Sequence, residues 1–312
     1  MLSEKKYSDV YVSKIVNSLD NISLQSWPRS VLYIVATPIG NLGDITLRAL
    51  FCLNIMDLIA VEDTRVSNIL FNFYGIKKTL ISAHKYSEKE VAVKICKELS
   101  SGNRVALVSD AGSPVISDPG STVIEFVRNQ GYKVVPIPGA SAVTTALMGA
   151  GITNYENPGY FFAGFIPTKR IQRLSFFKKN KNLNIPLVMF DSPHRIVSSL
   201  NDLLDIFGPL RLVTIARELT KKFEEISTFQ LQHYLEKFAT KYDNKGEFVV
   251  IIHSSQDHNN NDELIGSFDD DILSLISDGL SLSDIIKVIA KTTGVSKSKL
   301  YEHSIKLVSK NV

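Results

Sequence analysis

The sequence predicts an α/β protein: a parallel N-terminal sheet, a second mixed sheet and a small helical C-terminal domain of helix-turn-helix type. Three observations carry this. Five strand–loop–helix units fall within about 120 residues, the repeat length of a parallel sheet covered by helices. Beyond residue 160 the strands continue but the helices between them thin out, which favours a mixed sheet. A polar or glycine-rich loop follows every strand of the first half, where an open parallel sheet binds its ligand. The expected divisions are an extension over 1–30, a first α/β domain over 31–138, a second over 139–255 and a helical domain over 263–312.

The first strand, Val31–Val35, enters a loop ending at Gly40-Asn-Leu-Gly43-Asp44, with Asp44 as the expected helix N-cap. Leu47, Leu50, Phe51 and Ile55 then share one helical face. The loop lacks both a GKS or GKT ending and a GxGxxG spacing, so it is a weak phosphate site. The next strand ends in Glu62-Asp63-Thr64-Arg65, which reads as a ligand-facing cluster or as a helix cap with a solvated ion pair. A third strand ends near His84, before a helix carrying Val91, Ile95 and Leu99 inward. Val105–Val108 is a buried strand that breaks into Ser109-Asp110-Ala111-Gly112-Ser113-Pro114, and a helix restarts near Ser121. Gly112 and Gly120 admit sharp turns or close approach, and Asp110 stands at the strand end. The strand at 132–136 leads through Pro138-Gly139-Ala140-Ser141-Ala142 to a helix of small residues at 141–149.

In the second half, strands are expected at 161–165, 185–190, 211–215 and 247–252. The second ends in Asp191-Ser-Pro-His194-Arg195 and the third runs into Arg217-Glu218-Leu-Thr-Lys221. Residues 254–262 are polar and Asn-rich, as a linker is. Beyond them, Ile285, Ile286 and Ile289, a turn at 293–296 and a helix with Lys297, Lys299 and Lys306 have helix-turn-helix spacing. An ordinary helical hairpin has the same pattern.

With 44% hydrophobic and 21% charged residues, the composition is that of globular domains with real cores. A net charge of +3 does not by itself point to nucleic acid. Two isolated cysteines, Cys52 and Cys96, make neither a disulfide framework nor a metal site and fit a reducing, cytoplasmic setting. No apolar run reaches ~18 residues, so no membrane span is expected. Residues 1–30 are polar with early acids, unlike a secretory signal, and read as an extension or a surface helix. Locally the charge is uneven. Residues 157–190 contain no acid yet carry Lys169, Arg170, Arg173, Lys178, Lys179 and Lys181, a phosphate-binding face or a solubilising helix.

Seven motifs occur in order: LYIVATPIGNLGDITLRAL, VEDTR, LVSDAGSPVISDPG, VVPIPGASA, AGFIP, SPHRI and ARELTK. Together they resemble the bacterial small-subunit (16S) rRNA cytidine 2′-O-methyltransferase family, a branch of the tetrapyrrole-methylase superfamily of class III S-adenosylmethionine methyltransferases. The likeness covers roughly residues 31 to 253. It implies two α/β domains with S-adenosylmethionine between them, a homodimer, and 16S rRNA in the small ribosomal subunit as the partner. It implies donor contacts at Pro38 and Gly40, along Ser109, Asp110, Ala111, Gly112, Ser113 and Pro114, and along Pro138, Gly139, Ala140, Ser141 and Ala142. Relatives that act on tetrapyrroles typically carry GxGxGD in the first loop, where this chain has TPIGNLGD. Some relatives have PGPCA where this chain has PGASA.

Methyl transfer from a sulfonium is an in-line displacement, so positioning supplies much of the rate. A ribose hydroxyl also needs its proton removed. Glu62, Asp63, His84 and Glu218 are the candidate bases or orienters, and Arg65, Arg217 and Lys221 could hold phosphate or the developing alkoxide. Lys169, Arg170, Arg173, Lys221, Lys297 and Lys299 are the candidate RNA contacts. No metal-ligand spacing is present. Two alternatives remain open: a methylase of a tetrapyrrole-like small molecule, and a non-catalytic rRNA-binding assembly factor.

Overall fold

A computed structural model describes residues 8–84, 87–153, 158–234, 236, 246–254, 265–293 and 297–310. It forms two compact units, Met1–His253 and Ser254–Val312.

The first unit opens with helix α1 (Asp9–Ser23), whose first turn is capped by Ser8 accepting from the Tyr11 amide at 3.2 Å. The first sheet follows: β1 (Val31–Val35), β2 (Leu58–Val61), β3 (Thr79–Ser82), β4 (Val105–Val108) and β5 (Lys133–Ile137). All its pairings are parallel, in the order β3-β2-β4-β1-β5. From β1 the chain moves one way across the sheet, and from β4 the other. The reversal opens a crevice outside the carboxyl ends of these two neighbouring strands. Helices α2 (Leu47–Ile55), α3 (Thr64–Phe73), α4 (Glu88–Ser100) and α5 (Ser121–Asn129) cover both faces. Period-two alternation divides β1 between two cores: Val31, Tyr33 and Val35 join Leu53, Ile59 and Phe71, while Leu32 joins Ile95, Leu99 and Val127.

The second sheet comprises β6 (Phe161–Phe165), β7 (Leu187–Asp191), β8 (Leu212–Arg217), β9 (Glu225–Gln230) and β10 (Phe248–Ile252), in the order β6-β7-β10-β8-β9. Only β6 and β7 pair in parallel, so the sheet is mixed, as expected. Helices α7 (Arg170–Asn180) and α8 (Ile196–Phe207) cover one face through Phe177, Leu200 and Leu203. The other face meets α6 (Ala142–Ala150), whose Val143, Ala146 and Leu147 cluster with Val188, Ala216, Val249 and Ile251. Among the described residues, no helix is long and apolar enough to cross a membrane.

The second unit holds α9 (Asp269–Ser277), α10 (Leu282–Thr293) and α11 (Lys297–Lys310) around Ile265, Ile286 and Leu300. Helices α10 and α11 flank the expected turn at 293–296, of which 294–296 lie outside the described residues, as do Lys85 and Tyr86.

Three expectations need correction. Asp44 lies in the 3₁₀ turn Leu42–Asp44, and the cap of α2 is Thr46, whose hydroxyl accepts from the Ala49 amide at 3.0 Å. The sheet-facing side of α2 is Ala49, Cys52 and Leu53, while Leu47, Leu50, Phe51 and Ile55 are only half-buried. Small side chains at 49 and 52 let the helix lie close to the sheet, and burial pushes the Cys52 thiol up to about 12. Strand β9 was not expected. Its sequence is polar enough to pass for a loop, but it pairs along its whole length with β8 at the sheet edge.

Candidate active site

A cleft of about 360 Å³ opens where the first sheet's loops face the second sheet. Ala111, Gly112, Ser113 and Asp118 line one side, with Ser141 and Ala142 from the start of α6. Phe165, Phe190, Asp191, Ser192, Leu219, Glu247 and Phe248 line the other. A neighbouring recess of about 200 Å³ is lined by Pro38, Gly40, Ser109, Asp110, Ala111 and Lys221, and both touch Ile39 and Glu247.

Backbone holds the first wall. The Thr37 amide donates to the Gly112 carbonyl at 2.8 Å, and the Gly112 amide returns a bond to the Thr37 carbonyl at 3.1 Å. The hydroxyl of Thr37 donates to the Ser109 carbonyl at 3.2 Å, and that of Ser113 to the Ala140 carbonyl at 3.3 Å. Gly112 sits at φ 76°, and a Cβ on Gly139 would stand 2.9 Å from the Ala36 Cβ. The small residues read as room for a ligand thus first make room for loop to pack on loop. Further along, Val115 at φ 76° and Ser117 at φ 69° occupy the left-handed region, which is costly for a β-branched side chain. The loop is pinned at its far end. Both carboxylate oxygens of Glu88 accept from the α5 N-terminus, the Gly120 amide at 3.0 Å and the Thr122 amide at 3.2 Å.

The candidate donor residues therefore divide. Ala111, Gly112, Ser113, Ser141 and Ala142 line the main cleft, and Pro38, Gly40, Ser109 and Asp110 line the recess. Pro114, Pro138, Gly139 and Ala140 line neither space; Pro114 is buried, whereas Pro138 and Gly139 are exposed.

The candidate catalytic residues are less concentrated. Neither space is lined by Glu62, Asp63, Arg65, His84 or Arg217. Asp63 is the N-cap of α3, accepting from the Arg65 amide at 2.8 Å, and it also pairs with the Arg65 guanidinium at 2.6 Å. Those bonds hold its carboxyl down at about 2. This corrects the reading of Asp63 as a base: the cap-and-ion-pair alternative is what forms. Glu88, at the end of the loop beginning with His84, is likewise committed to capping. His84 is exposed at the end of edge strand β3, and Arg217 closes β8 opposite Phe248 and Glu225. Glu218, at φ 50°, accepts from Lys221 Nζ at 2.8 Å and from the Glu247 amide at 3.0 Å. Burial alone would raise its carboxyl, but these donors hold it below the usual range, which makes Glu218 a poor base.

Asp118, within the LVSDAGSPVISDPG motif, is a further residue of the site. It lines the cleft half-buried. Burial first, and then the charges of Glu62 and Asp110, push its carboxyl up to about 6, against the pull of the Ser109 hydroxyl. Glu62 and Asp110 are raised too, again mainly by burial. They are tied to the strand ends, Asp110 Oδ1 accepting from the Asp63 amide at 3.0 Å and Glu62 Oε2 from the Asp110 amide at 3.4 Å.

Side-chain charge holds the second wall. Asp191 is buried, pairs with Arg195 at 3.2 Å and accepts from the Ser192 amide at 2.8 Å. Arg195 also donates to the Ile166 carbonyl at 3.2 Å. Arg173 corrects the RNA-contact reading. It is 4% exposed, donates through Nε to Asp202 at 2.7 Å, and leaves no cation at the surface. Arg170 shares Asp202 at 2.8 Å. Of the basic run, Lys169, Lys178, Lys179 and Lys181 remain exposed. Lys221 is bound to Glu218 and to Glu247 at 2.9 Å. On the second unit, Lys297 is exposed and Lys299 half-exposed.

Paired α/β sheets with a cleft at the switch point of the first define a class. Residues 31–234 match the family described as Tetrapyrrole (Corrin/Porphyrin) Methylases. Solved structures share the fold. A cobalt precorrin-4 methyltransferase superposes with a TM-score of 0.55 at 16% identity, covering 73% of this chain and 98% of its own. Diphthine synthase gives 0.55 at 16%, covering 72% and 89%. Sequence relatives narrow the class. The ribosomal RNA small subunit methyltransferase I of Neisseria meningitidis is 41% identical over 87% of this chain and 91% of its own. That of Haemophilus influenzae is 39% identical over 88% and 96%. The chain belongs to the ribosomal RNA small subunit methyltransferase I family, within the tetrapyrrole methylases.

Proposed function

We propose that the chain transfers a methyl group from S-adenosylmethionine to the 2′-hydroxyl of a cytidine in 16S rRNA of the small ribosomal subunit. The observation that carries the reading is near end-to-end similarity, at 36–41% identity, to relatives bearing the rRNA methyltransferase name. Methyltransferases of this class use S-adenosylmethionine generally, and the cleft suits it. At about 360 Å³ it falls within the roughly 300–1,000 Å³ of small-molecule sites. Phe190, Leu219, Phe248 and Val249 give an apolar floor for a purine, and Asp118 and Glu247 offer carboxylates to a molecule carrying a sulfonium and an ammonium. Bound there, the donor supplies an electrophilic methyl group.

The chain's own residues do the rest. The bridged loops at Thr37 and Gly112 fix the first wall, so the reacting groups meet with little reorganisation. Asp118, ionised above about pH 6, takes the proton of the attacking hydroxyl. Exposed Lys169, Lys178 and Lys179 on and beside α7, and Lys297 and Lys299 at the start of α11, hold RNA phosphates. The reading also carries a homodimer working in the cytoplasm. A radiolabelled methyl-transfer assay on unmethylated small subunits, with nucleoside analysis, tests it. Labelled 2′-O-methylcytidine is expected, whereas label on a base, or none at all, would overturn it.

A further inference from the structure

The rim of the cleft carries an exposed aromatic side chain beside a bulged strand end. Strand β6 pairs with β7 at Phe161–Leu187 and Phe162–Val188, then slips by one residue so that Phe165 faces Phe190. Gly164 sits in the bulge at φ 73°. Bulges of this kind re-aim side chains beside functional sites. Here the bulge leaves Phe165 at 57% exposure, although a large aromatic gains by being buried. Its ring is nonetheless held. It meets Phe190 edge-on at 5.4 Å, and Phe190 meets Phe162 edge-on at 5.0 Å. From the first domain, Ile116 stands 48% exposed on the same cleft, between the two strained residues Val115 and Ser117. A Cβ on Gly164 would lie 3.3 Å from Ser117 Oγ, so the bulge and the strained loop abut.

The charges of the cleft say what can enter. Its described lining contains Asp118, Asp191 and Glu247 and no lysine or arginine. Asp191 and Glu247 are already paired with Arg195 and Lys221, so the described lining offers a phosphate no cation of its own, and the exposed lysines lie on and beside α7. The part of an RNA that fits between Phe165 and Ile116 is neutral, flat and polarisable: an unpaired nucleobase. Single-stranded and extruded bases are commonly held by stacking on aromatic side chains.

We infer that Phe165 is the stacking platform for the target base, capturing it at the rim and so carrying the attached ribose to the cleft. The inference rests on the proposed rRNA methylation and adds the recognition element. Four forms of the full-length chain test it: wild type, Phe165→Ala, Phe165→Leu and Phe165→Trp. Each is assayed on unmethylated small subunits, with donor affinity measured separately by calorimetry. Losing one stacked base lowers kcat/KM by about ten- to a hundredfold, so Phe165→Ala and Phe165→Leu should both fall that far. Phe165→Trp should stay within a few fold of wild type, and donor affinity should be unchanged throughout. Leucine retains apolar bulk without a π face, so full activity in Phe165→Leu would overturn the inference. So would a parallel loss of donor affinity, which would assign Phe165 to the donor. Transfer by wild type with undiminished Phe165→Ala overturns this inference alone, whereas no transfer by wild type overturns the parent reading and this one with it.

Discussion

The wall of the cleft that comes from the first sheet is held by main-chain bonds, Thr37 to Gly112 in both directions, and by packing so close that Gly139 has no room for a Cβ beside Ala36. The wall from the second sheet is held by buried charge, Arg195 on Asp191 and Arg173 with Arg170 on Asp202. The first kind of wall fails when an atom is added, the second when one is removed. The difference follows from topology. Parallel strands end together at the switch point and bring their loops into backbone contact, while a mixed sheet sends its strand ends both ways and relies on helix side chains to brace them.

The largest effect should come from the charged wall. Asp202→Ala leaves Arg173 buried and unpaired, which costs about 3–5 kcal/mol in denaturant unfolding. A loss below 1 kcal/mol would mean that the arginine escapes to solvent, and the contrast between the walls would collapse. Next is the side chain of the first wall assigned a chemical task. Asp118→Asn should lower turnover by at least about a hundredfold while donor affinity holds. Wild-type turnover should rise with pH through about 6 as this carboxyl loses its proton, and the variant should lack that limb. The other carboxylates able to shape the profile are Glu62 and Asp110 behind Asp118, and Asp191 and Glu247 across the cleft. A limb that survives in Asp118→Asn would assign it to one of them.

Gly139→Ala probes the backbone wall. Its methyl group meets Ala36, and such overpacking costs about 1–3 kcal/mol, with donor affinity falling as the loops part. Unchanged melting and donor binding would show that the loops give way. The smallest effect belongs to the outer surface. Replacing Lys169, Lys178 and Lys179 by alanine should leave stability and donor affinity alone and flatten the salt dependence of RNA binding by about one unit per lost phosphate contact. Filter binding across a salt series reads it, and an unaltered slope would remove α7 from the RNA path.

The sheets, their loops and the switch point were legible because strands buried on both faces announce themselves as unbroken apolar runs, as Leu58–Val61 and Val105–Val108 do. What escaped depends on partners far away in sequence. Arg173 looked like a phosphate ligand because Asp202, 29 residues on, cannot be anticipated as its buried partner. Asp118 drew no attention because burial and the charges of Glu62 and Asp110, which make it distinctive, exist only in the folded chain. Glu62-Asp63-Thr64-Arg65 offered two readings, and the local one formed at Asp63 because a cap needs only the two residues that follow it. Phe165 read as one more strand residue, since a one-residue slip in pairing leaves no trace in an apolar run.

Helix α6 leaves the first sheet and lies on the second, and Gly149 comes so near β9 that a Cβ there would run into the Ile226 side chain. Ile39, from the loop after β1, joins the same apolar cluster as Val188, Val249 and Ile251 of the second sheet. The two α/β halves therefore share a core as well as a cleft. A helix packed on the second sheet and continuous with the first couples the packing of the two halves. A cavity made in this shared cluster would therefore loosen both walls of the cleft at once.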